Sequence, residues 1–79
     1  MQKATSPSIL GQILKSVRVK KGLNQQQAGK LVGMTQAMVS RIERGESNAR
    51  IDTLFRLLAA LDMEMIVQPR EKAQNEGGW

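Results

Sequence analysis

The sequence predicts an all-α domain of four to five short helices, closed by one short strand near its C-terminal end. Apolar residues recur at helical spacing in successive short segments, each bounded by capping residues and glycines. Only after Asp62 does the spacing change to alternation. At 79 residues the chain is also about half the ~150 typical of a domain, so it is read as one small domain with short ragged ends.

Residues 1–5 are expected to be a flexible N-terminus. Ser6-Pro7 then opens helix 1, because a Ser oxygen can accept from free amides and Pro at the first helical position has no N–H to lose. Leu10, Ile13, Leu14 and Val17 fall on one face of that helix, and Gly22 closes it. Asn24 followed by Gln27 forms a capping-box pattern for a short helix from Gln25 to Val32 that ends at Gly33. Thr35 caps a third helix running to about Arg44 and stopped by Gly45. A polar loop over residues 46–50 leads into a fourth, where Ile51, Leu54, Phe55, Leu58 and Leu61 form the apolar stripe. Leu57 lies off that stripe, and an extra Leu on a small domain's surface points to a partner.

Residues 6–62 therefore make the domain, and residues 63–69 a separate element. Met63, Met65 and Val67 alternate with Glu64, Ile66 and Gln68 until Pro69, which reads as a strand; the alternative is an extension of helix 4. A single strand cannot satisfy its own ladder groups, so pairing with the same strand of a second subunit is expected. Leu57, Leu61, Met63, Met65, Ile66 and Val67 are the candidate dimer contacts. Residues 70–79 are polar, contain Gly77-Gly78, and are expected to be disordered.

Composition narrows the function. Cysteine and histidine are absent, which excludes disulfides, thiolate or imidazole metal sites, Cys or His catalysis and histidine-based pH switching. Without an imidazole to activate Ser or Thr, and without a Gly-rich phosphate loop, an enzyme is not expected and no cofactor is implied. A chain this short buries only about 60 % of its unfolded surface, so a second subunit is the expected source of further stability. Twelve Lys and Arg against seven Asp and Glu give +5. From Gly11 to Arg50 eight basic residues face two Glu, a net of +6, while the remainder carries four against five, a net of −1. Such a field fits a polyanion. One Phe, one Trp and no Tyr leave little surface for base stacking, so duplex nucleic acid is favoured over single strands. A membrane surface fits less well, because helix 1 lacks an aromatic-rich apolar face. No apolar run reaches the roughly 18–20 residues of a bilayer span, and Lys15, Lys20 and Lys21 interrupt any secretory signal, so a cytoplasmic, nucleoid-associated protein is expected.

The central stretch, residues 25–42, carries the function. Two short helices joined by a tight Gly-containing turn form a helix-turn-helix, whose second helix enters the major groove. Gly29 is small where the helices cross, and Gly33 takes positive φ at the turn. Ala28, Val32, Met34, Val39 and Ile42 point inward, leaving Gln36, Ala37, Ser40, Arg41 and Arg44 outward. Glutamine offers a donor and an acceptor that suit adenine N6 and N7, and the Arg41 fork suits guanine O6 and N7. The bland alternative for each is a solvated helix face. Lys15, Lys20 and Lys21 divide evenly between a phosphate patch and plain solubility.

From Gly22-Leu23-Asn24-Gln25 through Ser40-Arg41-Ile42-Glu43-Arg44-Gly45 the sequence resembles the phage-repressor-like, or XRE-type, helix-turn-helix family, over roughly Ile9 to Leu61. The Ser6-Pro7 opening, the strand-like residues 63–68 and the tail ending in Trp79 resemble one branch, the antitoxins of the HipA–HipB toxin–antitoxin type. The resemblance implies a lambda-repressor-like fold and a homodimer placing two third helices in successive major grooves, about 34 Å apart. By position in the motif, Gln36 would read a base edge, and Gln25 would contact a phosphate and buttress Gln36. Thr35 would lie at the same surface, Ala37 and Met38 would touch a thymine methyl, and Ser40, Arg44, Asn48 and Arg50 would meet the backbone. Ala37 departs from the glutamine-rich phage pattern, so no particular operator sequence carries over. Arg18 and Glu43 occupy positions that pair helix 1 with the end of helix 3, a structural role. The resemblance further implies that the partner is a HipA-like serine/threonine kinase toxin and that both proteins repress their own operon. Trp79 is a candidate anchor in a pocket of that partner. The competing readings are a phage or restriction-control repressor without a toxin, and a protein-binding adaptor.

Overall fold

The computed structural model describes residues 2–46 and 48–70. Four helices follow in order: α1 (Pro7–Lys20), α2 (Gln25–Val32), α3 (Gln36–Glu43) and α4 (Ile51–Ala60). Local chemistry sets their ends. Ser6 Oγ accepts from the amide of Ile9 at 3.1 Å, with Pro7 at the first helical position. Asn24 and Gln27 form the reciprocal capping box, each side chain accepting from the other's backbone amide at 2.7 and 2.8 Å. Gly33 stands at φ +72°, ending α2 so that Thr35 can cap α3 through the amide of Met38 at 3.1 Å. A side chain at position 33 would have to enter the left-handed region at a cost of about 1 kcal/mol.

The core gathers Leu14 from α1, Met34 from the turn, Val39 and Ile42 from α3, and Leu57, Leu58 and Leu61 from α4 and its end, with Leu10, Val17, Leu23, Val32 and Leu54 packed around them. Two glycines allow the helices to close on it. A Cβ on Gly29 would overlap the carbonyl of Met34, and one on Gly11 would overlap the carbonyls of Ile42 and Glu43. The α1–α3 contact at Gly11 is a backbone approach that the sequence reading does not anticipate.

One expectation is corrected, and the pairing expected of residues 63–69 with a second subunit lies outside a single chain. Leu57 is not a surface residue: it is 1 % exposed, and Leu61 is 2 % exposed, so both side chains belong to the chain's own core and are not available as dimer contacts. The stripe of α4 is Leu54, Leu57, Leu58 and Leu61, while Ile51 and Phe55 lie exposed. Residues 63–69 do not form a strand within this chain, and among the described residues there is none. A lone strand has no ladder to join. The segment does not lengthen α4 either. Asp62 takes φ +57°, its amide donates to Ala59 O and the amide of Met63 donates to Leu58 O at 2.8 Å, a paired closure that ends the helix. Met63 packs on the core, whereas Met65, Ile66 and Val67 stay exposed. No helix among the described residues is long and apolar enough to cross a membrane. The expected disorder of residues 70–79 concerns, apart from Arg70, residues outside those described, and so does Trp79.

Candidate nucleic-acid interface

Helix α3 presents its outer face as a strip of short and polar side chains. Gln36, Ala37, Met38, Arg41 and Arg44 are exposed and Ser40 is half-buried, while Val39, Ile42 and Glu43 turn inward. This inside-outside division follows the helical period, because the apolar residues must meet α1, α2 and α4. Thr35 is exposed at the head of the strip, its oxygen accepting from Met38 and its hydroxyl proton left to donate.

Behind the strip lies a continuous polar chain. Arg18 from α1 and Glu43 from α3 are 8 % and 7 % exposed and form a two-bonded pair, Nε to Oε2 at 2.6 Å and Nη2 to Oε1 at 3.1 Å. The remaining Arg18 fork donates to the carbonyl of Leu23 at 2.8 Å, which ties the loop before α2 to the same cation. Gln25, in the first turn of α2, donates from Nε2 to Glu43 Oε1 at 2.9 Å. Its Oε1 accepts from Gln36 Nε2 at 2.5 Å. Among the described residues no buried side-chain polar atom lacks a partner. The Arg18–Glu43 pair and the buttressing of Gln36 by Gln25 are where the sequence reading puts them. The bond from Gln25 to Glu43, which joins those two features, is not in that reading. Its signal is present in the spacing, since Glu43 lies seven residues after Gln36 and therefore two turns along the same side of α3.

The arginines differ in their engagement. The Arg41 guanidinium has no partner among the described residues. Arg44 donates to Ser40 Oγ and, through Nε and Nη2, to Glu46 at 3.0 and 3.3 Å. Arg50 stands 3.5 Å from Asp52, and Asn48 is exposed. Lys21 pairs with Asp62 at 2.9 Å, which separates it from Lys15 and Lys20. Exposed pairs of this kind contribute at most about 1 kcal/mol, so a phosphate can displace the carboxylate.

This geometry has counterparts among known proteins. The Helix-turn-helix family HTH_3 matches residues 14–66. Antitoxin HipB of Escherichia coli strain K12 is 32 % identical over 75 residues, spanning 95 % of this chain and 85 % of HipB. The protein chain of a HipB–O4 20mer complex superposes with a TM-score of 0.80 at 31 % identity, over 90 % of this chain and 100 % of that one, and a chain of a HipA–HipB–O2–O3 complex does so to the same extent. The restriction-modification controller protein C.AhdI of Aeromonas hydrophila superposes with a TM-score of 0.69 at 34 % identity, over 73 % and 84 %. A helix-turn-helix with matched caps, a buried Arg–Glu pair behind its second helix and this extent of likeness place the chain in the helix-turn-helix family that includes the HipB antitoxins.

Proposed function

We propose that this chain is a DNA-binding transcriptional repressor and the antitoxin of a HipA–HipB-type pair, acting as a homodimer on operator DNA and neutralising a HipA-like kinase. The observation that carries the DNA half is Gln36, exposed at the first position of α3 and held there by Gln25. A fixed amide at the head of a helix can enter the major groove and form two bonds to one adenine edge. Arg41, one turn and a half further along and without a partner among the described residues, is the second base reader. Ser40, Arg44, Asn48 and Arg50 supply backbone contacts, which position the protein without choosing a sequence.

The antitoxin half rests on the HipB likeness, which extends over nine-tenths of the chain. The second reading, a restriction-control repressor without a toxin, is favoured by the controller-protein likeness, which covers less of the chain. Trp79 is the proposed kinase anchor on sequence grounds. Two measurements separate these readings. Gln36→Ala combined with Arg41→Ala is expected to abolish selective duplex binding while leaving the helices intact by circular dichroism; retained selectivity would overturn these two residues as the base readers, and a native chain with no selective duplex binding would favour the adaptor. Co-purification of the native chain is expected to recover a kinase-like protein as well as DNA, and DNA alone would favour the stand-alone repressor.

A further inference from the structure

The polar chain behind α3 has a direction, and that direction is fixed by chemistry at its buried end. Both oxygens of Glu43 accept from Arg18, so its side chain faces Gln25 with an acceptor. The Gln25 amide beside it must therefore turn its NH2 group inward, which it does at 2.9 Å. The carbonyl oxygen of Gln25 then faces Gln36, and Gln36 must turn its own NH2 toward it, which it does at 2.5 Å. The Gln36 carbonyl and one remaining N–H are left in a set order along the exposed edge. Reversing either amide would place a carbonyl against the carboxylate or against another carbonyl.

We propose that Glu43 is a positioning residue for DNA readout: through Gln25 it fixes which end of the Gln36 amide donates and which accepts, and so which base edge Gln36 selects. This deepens the reading that Gln36 contacts a base and rests on it. Adenine presents a donor at N6 beside an acceptor at N7, so the order of the two groups on the glutamine matters as well as their presence. The second hydrogen on Gln25 Nε2 has no acceptor among the described residues, so a phosphate contact there would strengthen the same polarity.

The test uses the full chain and a duplex that it selects from a randomised pool. Gln36→Ala first identifies the base pair at which discrimination is lost. Loss at no position overturns the base-reading role of Gln36, independently of Glu43. The paired change Arg18→Met with Glu43→Met removes the acceptor without leaving a buried charge, an exchange that folded proteins commonly tolerate. At the base pair found with Gln36→Ala, discrimination is expected to fall about tenfold in this variant, with binding to unrelated duplex and its salt dependence unchanged. A merely structural loss would lower binding to all duplexes together. Arg18→Met with Glu43→Gln restores a neutral acceptor and is expected to recover part of the discrimination. Full discrimination in the Met–Met variant, with Gln36→Ala inactive, overturns the role of Glu43. Should the paired variants not fold, side-chain 15N relaxation of the native chain decides. The Gln25 and Gln36 amides are expected to be as ordered as the backbone, and amides as mobile as that of exposed Gln26 would overturn the proposal.

Discussion

Leu57 and Ile51 sit on one helix with opposite fates, 1 % and 70 % exposed. Truncation of Leu57 leaves a hole in the core cluster that the helices cannot fill, so Leu57→Ala is expected to cost about 3 kcal/mol in chemical denaturation. Ile51→Ala is expected to stay within about 0.5 kcal/mol, as surface changes do. A comparable loss at Ile51 would show that a second subunit covers it. The same pair of residues marks where the sequence is hardest to read. Residues 51, 54, 55 and 58 and residues 54, 57, 58 and 61 satisfy helical spacing equally well. Period identifies a helix, but the side that faces inward depends on what packs against it. Gln36 behaves differently: its outward position follows from the inward pull of Val39 and Ile42 in the same short helix, so it is legible from the sequence alone.

The two helices of the motif are too short to persist by themselves, since isolated helices below roughly 12–15 residues are marginal. Their ends are therefore where sequence acts most directly. Asn24 and Thr35 each satisfy a free amide in a first turn, and each first turn carries one member of the Gln25–Gln36 bridge. Asn24→Ala and Thr35→Ala are each expected to cost about 1 kcal/mol in urea denaturation. Thr35→Ala is also expected to weaken duplex discrimination by loosening the turn that places Gln36. Losses near zero would mean that packing alone holds these turns. Capping was legible because it is local, a matter of residues three apart. The closure of α4 by Asp62 was less legible, because a non-glycine residue at positive φ is uncommon and gives no strong signal.

At the scale of the whole molecule, the unsettled element is the segment after α4. Leu10, Ile13, Leu54, Leu58 and Met63 line a groove between the N-terminal residues and residues 63–70, and Met65, Ile66 and Val67 are exposed beside it. Within one chain residues 64–69 join no strand, so the alternation read in the sequence finds no use there. A second copy would supply the missing ladder partner and cover the apolar side chains, and its nature as a pairing between chains is why a single sequence could locate the segment but not complete it. Two consequences can be measured. The melting temperature is expected to rise with protein concentration, as it does when folding and association are coupled. Val67→Pro removes a ladder donor at a position remote from the core, so it is expected to yield a folded monomer in sedimentation equilibrium. That monomer should bind a duplex half-site as the native chain does, yet bind the full selected duplex far more weakly, because two α3 helices no longer act at a fixed spacing. A native chain that sediments as a monomer at every concentration, or a Val67→Pro dimer with unchanged affinity, would remove residues 63–69 from the interface and leave the spacing of the two recognition helices to some other surface.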